Sequence, residues 1–321
     1  MRGPLFQPDY RPLFSGHETF PLRYGWLKKA YDAVVDAARA GGTRSVFATD
    51  AAIARFGVGK NMVGSIRHWA LHTGVIWENN SAGGLRPTTA GDFLFGGDGV
   101  DPYLEDAASL WYLHWVLCSG ERGPVIKTTW YWVFNHLTNP QFRREELVDS
   151  LMRLAEARGW QRVSRTTVQR DVECFVRTYD ARRSIGHGTV EDHLESPLAE
   201  LGLLRGLKGT FHLVRGPKPS LPNGVFVAAL EAFWNRRGPT TTLSFEMLAH
   251  EPGSPGRVFL LDESDLANRL LRLEDATRGI LRWSETAGLR QVLRSQPLGV
   301  DRTFELLRKD YRAAASLRGQ R

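Results

Sequence analysis

Residues 15–31, SGHETFPLRYGWLKKAY, set a His–Glu pair directly before a run rich in aromatics, lysine and arginine. An imidazole beside a carboxylate is the raw material of general acid–base chemistry, and His17 or Glu18 can serve as the base in phosphodiester cleavage. A zinc protease is excluded, because no second histidine completes H-E-x-x-H. Phe20, Tyr24, Leu27, Tyr31 and Val34 recur at spacings of three and four, which predicts an amphipathic helix from Pro21 to about Arg39. A proline at its first position loses only an amide that has no partner there. Residues 15–19 then precede the positive end of a helix, where free amides favour an anion, and Arg23 and Lys28 add charge. The same residues also match a capping box, Ser15-x-x-Glu18. Phosphate clamp, general base and cap remain three readings of one stretch.

Other catalytic signatures fail on spacing. GVGKN (57–61) lacks the upstream glycine of a phosphate-binding loop, and Asn61 stands where a magnesium-binding Ser/Thr belongs. No G-x-S-x-G elbow and no glycine-rich dinucleotide loop occur. Asp9, Glu18 and Lys28 loosely resemble the acidic pair and lysine of a metal nuclease, without the close Asp/Glu-x-Lys element. IGHGTVEDHLESP (185–197) gathers His187, Glu191, Asp192, His193 and Glu195, which are competent metal ligands but equally a solvated loop. Cys118 and Cys174 are the only cysteines, so neither a disulfide framework nor a cysteine zinc site is expected, and the chain suits a reducing cytoplasm.

Helices with glycine-containing turns position these residues. TDAAIARF, the turn GVGK, and a helix from Asn61 to about His72 are followed by a hairpin, VIWENNSAGGLRPTT. Helix, turn, helix, hairpin is the order of a winged helix-turn-helix, whose second helix enters the DNA major groove. Lys60, Asn61, Ser65, Arg67 and His68 are that helix's polar residues, and Arg86 lies in the wing. The outline returns after residue 144: a long helix, a break at Gly159, a helix capped by Ser164, and a basic hairpin around Lys208. Arg162, Arg165, Thr167, Gln169 and Arg170 lead this second recognition helix, residue types suited to phosphate and base edges. A third, weaker copy ends in a basic helix near residues 301–312.

Glycine and proline clusters at 95–103 and 215–224 divide the chain. The expected parts are an N-terminal winged-helix DNA-binding domain (1–98), a helical domain with a second winged-helix-like module (99–218), and a C-terminal helical or winged-helix-like domain (219–321). The fold class is mainly α within α+β, with short β-hairpin wings. The 321 residues suffice for such units, and a net charge of +7, carried mostly by arginine, favours double-stranded DNA as partner. The most apolar run, SLWYLHWVLC (109–118), is too short to span a bilayer and reads as a buried helix. No membrane association is expected.

Three blocks, FSGHETFPLRYGWLKKAYD, FGVGKNMVGSIRHW and ESPLAELGLL, together resemble the SspB-like family of bacterial DNA-phosphorothioation systems, first catalogued as a domain of unknown function. The resemblance spans nearly the whole chain. It implies a cytoplasmic antiphage-defence protein that acts as a metal-dependent DNA nickase, using Mg2+ or Mn2+, so that sulfur can enter the backbone. It also implies a cysteine desulfurase, an ATPase and a sulfur-transfer enzyme as partners. The residues alone reach a winged-helix DNA-binding protein, which leaves a non-catalytic adaptor or regulator as the alternative.

Overall fold

Left-handed residues decide where the first helix can begin. The computed structural model describes residues 3–43, 45–79, 84–120, 126–180, 196–286 and 288–318. Gly16 (φ 93°), Glu18 (47°), Thr19 (65°) and Gly25 (77°) all lie in the left-handed region, so the chain turns at 16–19 and again at 24–25. Helix α1 (Trp26–Arg39) therefore starts five residues later than its periodicity predicts, with Gly25 at the N-cap and no capping side chain. Pro21 is not its first residue, and Ser15 and Glu18 form no capping box for it. Of the expected apolar face, Leu27, Tyr31 and Val34 are buried, joined by Trp26, Ala30 and Ala33, whereas Phe20 and Tyr24 precede the helix and Tyr24 is exposed.

Three winged-helix units follow one another. In the first, α1 leads to α2 (Thr49–Phe56), a left-handed Gly57, α3 (Lys60–His72) and the hairpin β1 (Ile76–Asn79) and β2 (Gly84–Pro87), with Ile76 opposite Pro87. Helix α4 (Thr89–Phe95), capped by the Thr88 hydroxyl, closes it. Helix α5 (Ala107–Cys118) is buried on nearly every face.

The second unit comprises α6 (Thr128–His136), β3 (Gln141–Arg143), α7 (Arg144–Ala157), α8 (Arg165–Tyr179), β4 (Leu204–Leu207) and β5 (Thr210–Leu213), with strand order β3-β5-β4. The third repeats this: α9 (Asn223–Asn235), β6 (Thr242–Ser244), α10 (Phe245–His250), α11 (Pro255–Val258), α12 (Glu263–Leu270), α13 (Leu273–Thr277), β7 (Leu281–Thr286) and β8 (Leu289–Arg294), order β6-β8-β7. The predicted helix over 264–276 is thus two helices. Helix α14 (Val300–Arg318) packs along α9, where the Asp310 carboxylate accepts from the Gly224 and Val225 amides.

The units are not beads on a string. Buried apolar side chains from Leu5 to Tyr311 form one connected cluster. No described helix is long and apolar enough to cross a membrane.

Candidate functional site

His17 lies inside the molecule, 2% exposed, at the meeting of the first and second units. Its Nδ1 accepts the Thr19 amide at 3.0 Å, which places the ring proton on Nε2, donated to Asp171 Oδ1 on α8 at 2.9 Å. The Lys127 ammonium, at the start of α6, reaches that same oxygen at 3.2 Å. Lys127 also donates to His68 Nε2 on α3 at 3.3 Å and stands 4.3 Å from the centre of the Trp130 ring. His68 in turn stacks on His72 at 4.1 Å, and the Ser65 hydroxyl donates to the His17 carbonyl at 3.0 Å. Gly16 is required by this packing: a Cβ there would lie 2.7 Å from His68 Nδ1, at a φ few side chains adopt.

Electrostatics fix the protonation pattern. Burial, reinforced by the nearby Lys127 charge, holds His17 below the usual imidazole range and His68 well below it. Burial alone would raise Asp171, but Lys127 and the His17 hydrogen bond pull it below the ordinary carboxylate range. The cluster is therefore one buried ion pair, Lys127–Asp171, flanked by neutral imidazoles. A buried ring with both nitrogens engaged has no lone pair free to take a proton from a water attacking a phosphodiester at the surface. In this structure His17 positions the segment before α1 rather than facing solvent.

The remaining expected residues divide between interior and surface. Arg23 is buried, its guanidinium 5.3 Å from the Phe20 ring and 5.5 Å from that of Trp26, so it does not flank an anion site. Ser65 and His68 are buried too, because the inner face of α3 packs against the second unit; neither lies on a DNA-facing surface. Lys28 pairs with Asp32 at 2.6 Å, Arg67 with Glu78 of β1 at 2.7 Å, and Arg165 with Asp149 of α7 at 2.7 Å. Glu18, Lys60, Asn61, Arg86 and Lys208 are exposed. So are Arg162, Gln169 and Arg170 around the start of α8, where the Ser164 hydroxyl caps the Thr167 amide.

The α8 residues are brought together, and they acquire neighbours that the sequence did not suggest. A groove of about 820 Å³ runs between the N-terminal segment 7–15 and the turn at 158–163. Arg11, Arg158 and Arg162 line it with Tyr10, Phe14, Trp160, Ser15 and Thr167, and no carboxylate does. Arg158 ties the two walls together by donating to the Phe6 carbonyl at 2.9 Å. Residues 7–15 carry no periodicity, so nothing local announces that they fold against a turn 150 residues away.

Divalent metal finds no ready site here. Among the described residues, no three His, Cys, Asp or Glu side chains gather as ligands. Asp171, the buried carboxylate of the hub, already holds the Lys127 ammonium where a cation's charge would sit. Neither the buried hub nor the groove therefore offers a ligand set for Mg2+ or Mn2+. The polar cluster at 187–195 lies outside the described residues.

No curated protein is significantly similar to the chain. Two solved structures are. A magnesium ion-bound SspB crystal structure matches with a TM-score of 0.80 at 30% identity, covering 92% of this chain and 87% of that one. A further SspB crystal structure matches with a TM-score of 0.79 at 28% identity, covering 95% and 94%. A family model for a protein of unknown function, DUF4007, matches residues 14–311, and the chain belongs to that family.

Proposed function

We propose that this chain is a DNA-binding protein of a phosphorothioate-modification system and that the leading half of α8 enters the major groove of the duplex. The observation that carries this reading is the exposure of Gln169 and Arg170 on the leading half of α8, behind the Ser164 cap that fixes where that helix begins. Arginine forks bind phosphate bidentately, and small polar residues at a recognition helix's N-terminus reach base edges. Lys60 and Asn61 at the start of α3 offer a second contact, smaller because the rest of that helix is committed to the core.

Nicking belongs to the same proposal through the resemblance to SspB, as do partners that supply and transfer sulfur. His17, buried and neutral, is read as holding the segment before α1 in place, and Glu18 is the exposed member of the pair. Supercoiled plasmid incubated with the protein and Mg2+ or Mn2+ tests both halves. The expected result is salt-sensitive binding together with open-circular product. Binding without product would favour the adaptor reading, and no binding at low salt would sink the proposal.

A further inference from the structure

The groove beside α8 is built for something other than a duplex backbone. Tyr10 is fixed at its floor by a 2.7 Å hydrogen bond to the Thr128 hydroxyl and a 3.2 Å bond to the Ile126 carbonyl. Its ring packs against Trp160 at 5.4 Å, and Phe14 packs against the same indole at 6.4 Å. Trp160 is half-buried, so the aromatic wall presents part of its surface to the groove. Arg11 and Arg162 stand exposed at the rim, and neither forms an ion pair among the described residues. Arg162 is held there by a left-handed backbone at φ 62°, after a left-handed Gly159 at 64°.

A rigid aromatic wall with unpaired guanidinium groups at its edge is the chemistry of single-strand recognition. Bases stack on the aromatic surface while the backbone tracks the cations. A duplex hides its base faces and would leave that wall unused. We propose that this groove binds an unpaired DNA strand: a base lies against Trp160 and its phosphates contact Arg11 and Arg162. The proposal deepens the DNA-binding reading above and rests on it. It places an open strand immediately beside the helix that holds the duplex, as a protein acting on one strand requires.

Fluorescence anisotropy with two labelled probes separates this proposal from the reading beneath it. One probe is an oligothymidylate of about ten nucleotides, within the usual span of a stacking groove. The other is a blunt duplex of arbitrary sequence. The variant Arg11→Gln/Arg162→Gln removes both charges while keeping side chains of similar reach, and Arg39→Gln/Arg272→Gln, exposed arginines at the end of α1 and just before α13, controls for the same loss of net charge. The double variant is expected to bind oligothymidylate about 10-fold more weakly, with a log–log salt slope shallower by about 1.4 for two lost single-strand phosphate contacts. Its duplex affinity should stay within about twofold, consistent with non-contacted phosphates, which also shows that the variant is folded. Unchanged oligothymidylate binding overturns the proposal, as does an equal loss for both probes. Wild type that binds duplex but no oligothymidylate removes the groove alone. Wild type that binds neither removes the DNA-binding reading as well.

Discussion

Asp171 Oδ1 meets two donors at once, His17 Nε2–H and the Lys127 ammonium, with Asp171 and Lys127 both about fully buried. Removing one member of a buried pair strands the other charge, so Asp171→Asn should destabilise the protein by about 3–5 kcal/mol. Adding Lys127→Met removes the stranded ammonium while Asn still accepts from His17, and most of that loss should return. Urea unfolding of Asp171→Asn, Lys127→Met and the double variant checks this; a double variant as unstable as the sum of the singles would rule out charge coupling. His17→Ala is expected to weaken folding by about 1–3 kcal/mol, the cost of leaving a buried acceptor unmet, and so to act on stability before it acts on any chemistry. None of this was legible locally. The pair at 17–18 has the composition of a reactive dyad, and only His17's contacts with His68, 51 residues away in α3, and with Asp171, 154 away in α8, show that histidine to be interior. The one hint was Gly16, whose bare backbone admits His68.

At the scale of elements, the helices and wings with clear turn chemistry were readable. Gly57, Gly74 and Gly159, all left-handed, end helices where the sequence says they end, and the Ser164 cap was visible before α8. Strands β3 and β6 were not, because three residues are too few to display alternation. They matter: each pairs with the returning strand of its wing and completes the winged-helix sheet. The relative roles of α3 and α8 were equally hidden, since each helix shows a polar face in sequence. The structure turns Ser65, His68 and His72 of α3 inward and leaves Gln169 and Arg170 of α8 outward. Arg170→Ala should therefore weaken duplex binding and reduce the salt slope by about 1, the value for one phosphate contact. Arg67→Ala should do far less, because Arg67 is already paired with Glu78 across a half-exposed bridge. Duplex titrations at several salt concentrations decide between them, and a larger effect at Arg67 would move the recognition surface to the first unit.

Across the whole molecule, buried neutral histidines sit at the seams between units. His17 and His68 join the first unit to the second. His114 on α5 donates to the Val258 carbonyl of α11 and accepts from Tyr179 of α8, both at 2.8 Å, joining the second to the third. Burial pushes His114 and His136 down to about 4 and His68 well below its ordinary value. A depressed histidine contributes stability that is complete above its unfolded pKa near 6.5 and is lost as pH falls toward the folded value. Asp310 acts in the opposite sense: burial raises it to about 6, so its contribution grows as pH falls through that value and offsets one proton. With His68, His114 and His136 against Asp310, unfolding near pH 5 takes up about two protons net, and stability should fall by roughly 3 kcal/mol per pH unit there. Urea midpoints should be flat from pH 8 to 7 and drop below about 6.5, the unfolded histidine value. Because the titrating groups bridge units, the single transition expected at neutral pH should broaden or split in acid as the seams loosen first. Midpoints and cooperativity both unchanged down to pH 5 would mean that the histidines are not what binds the three units into one core.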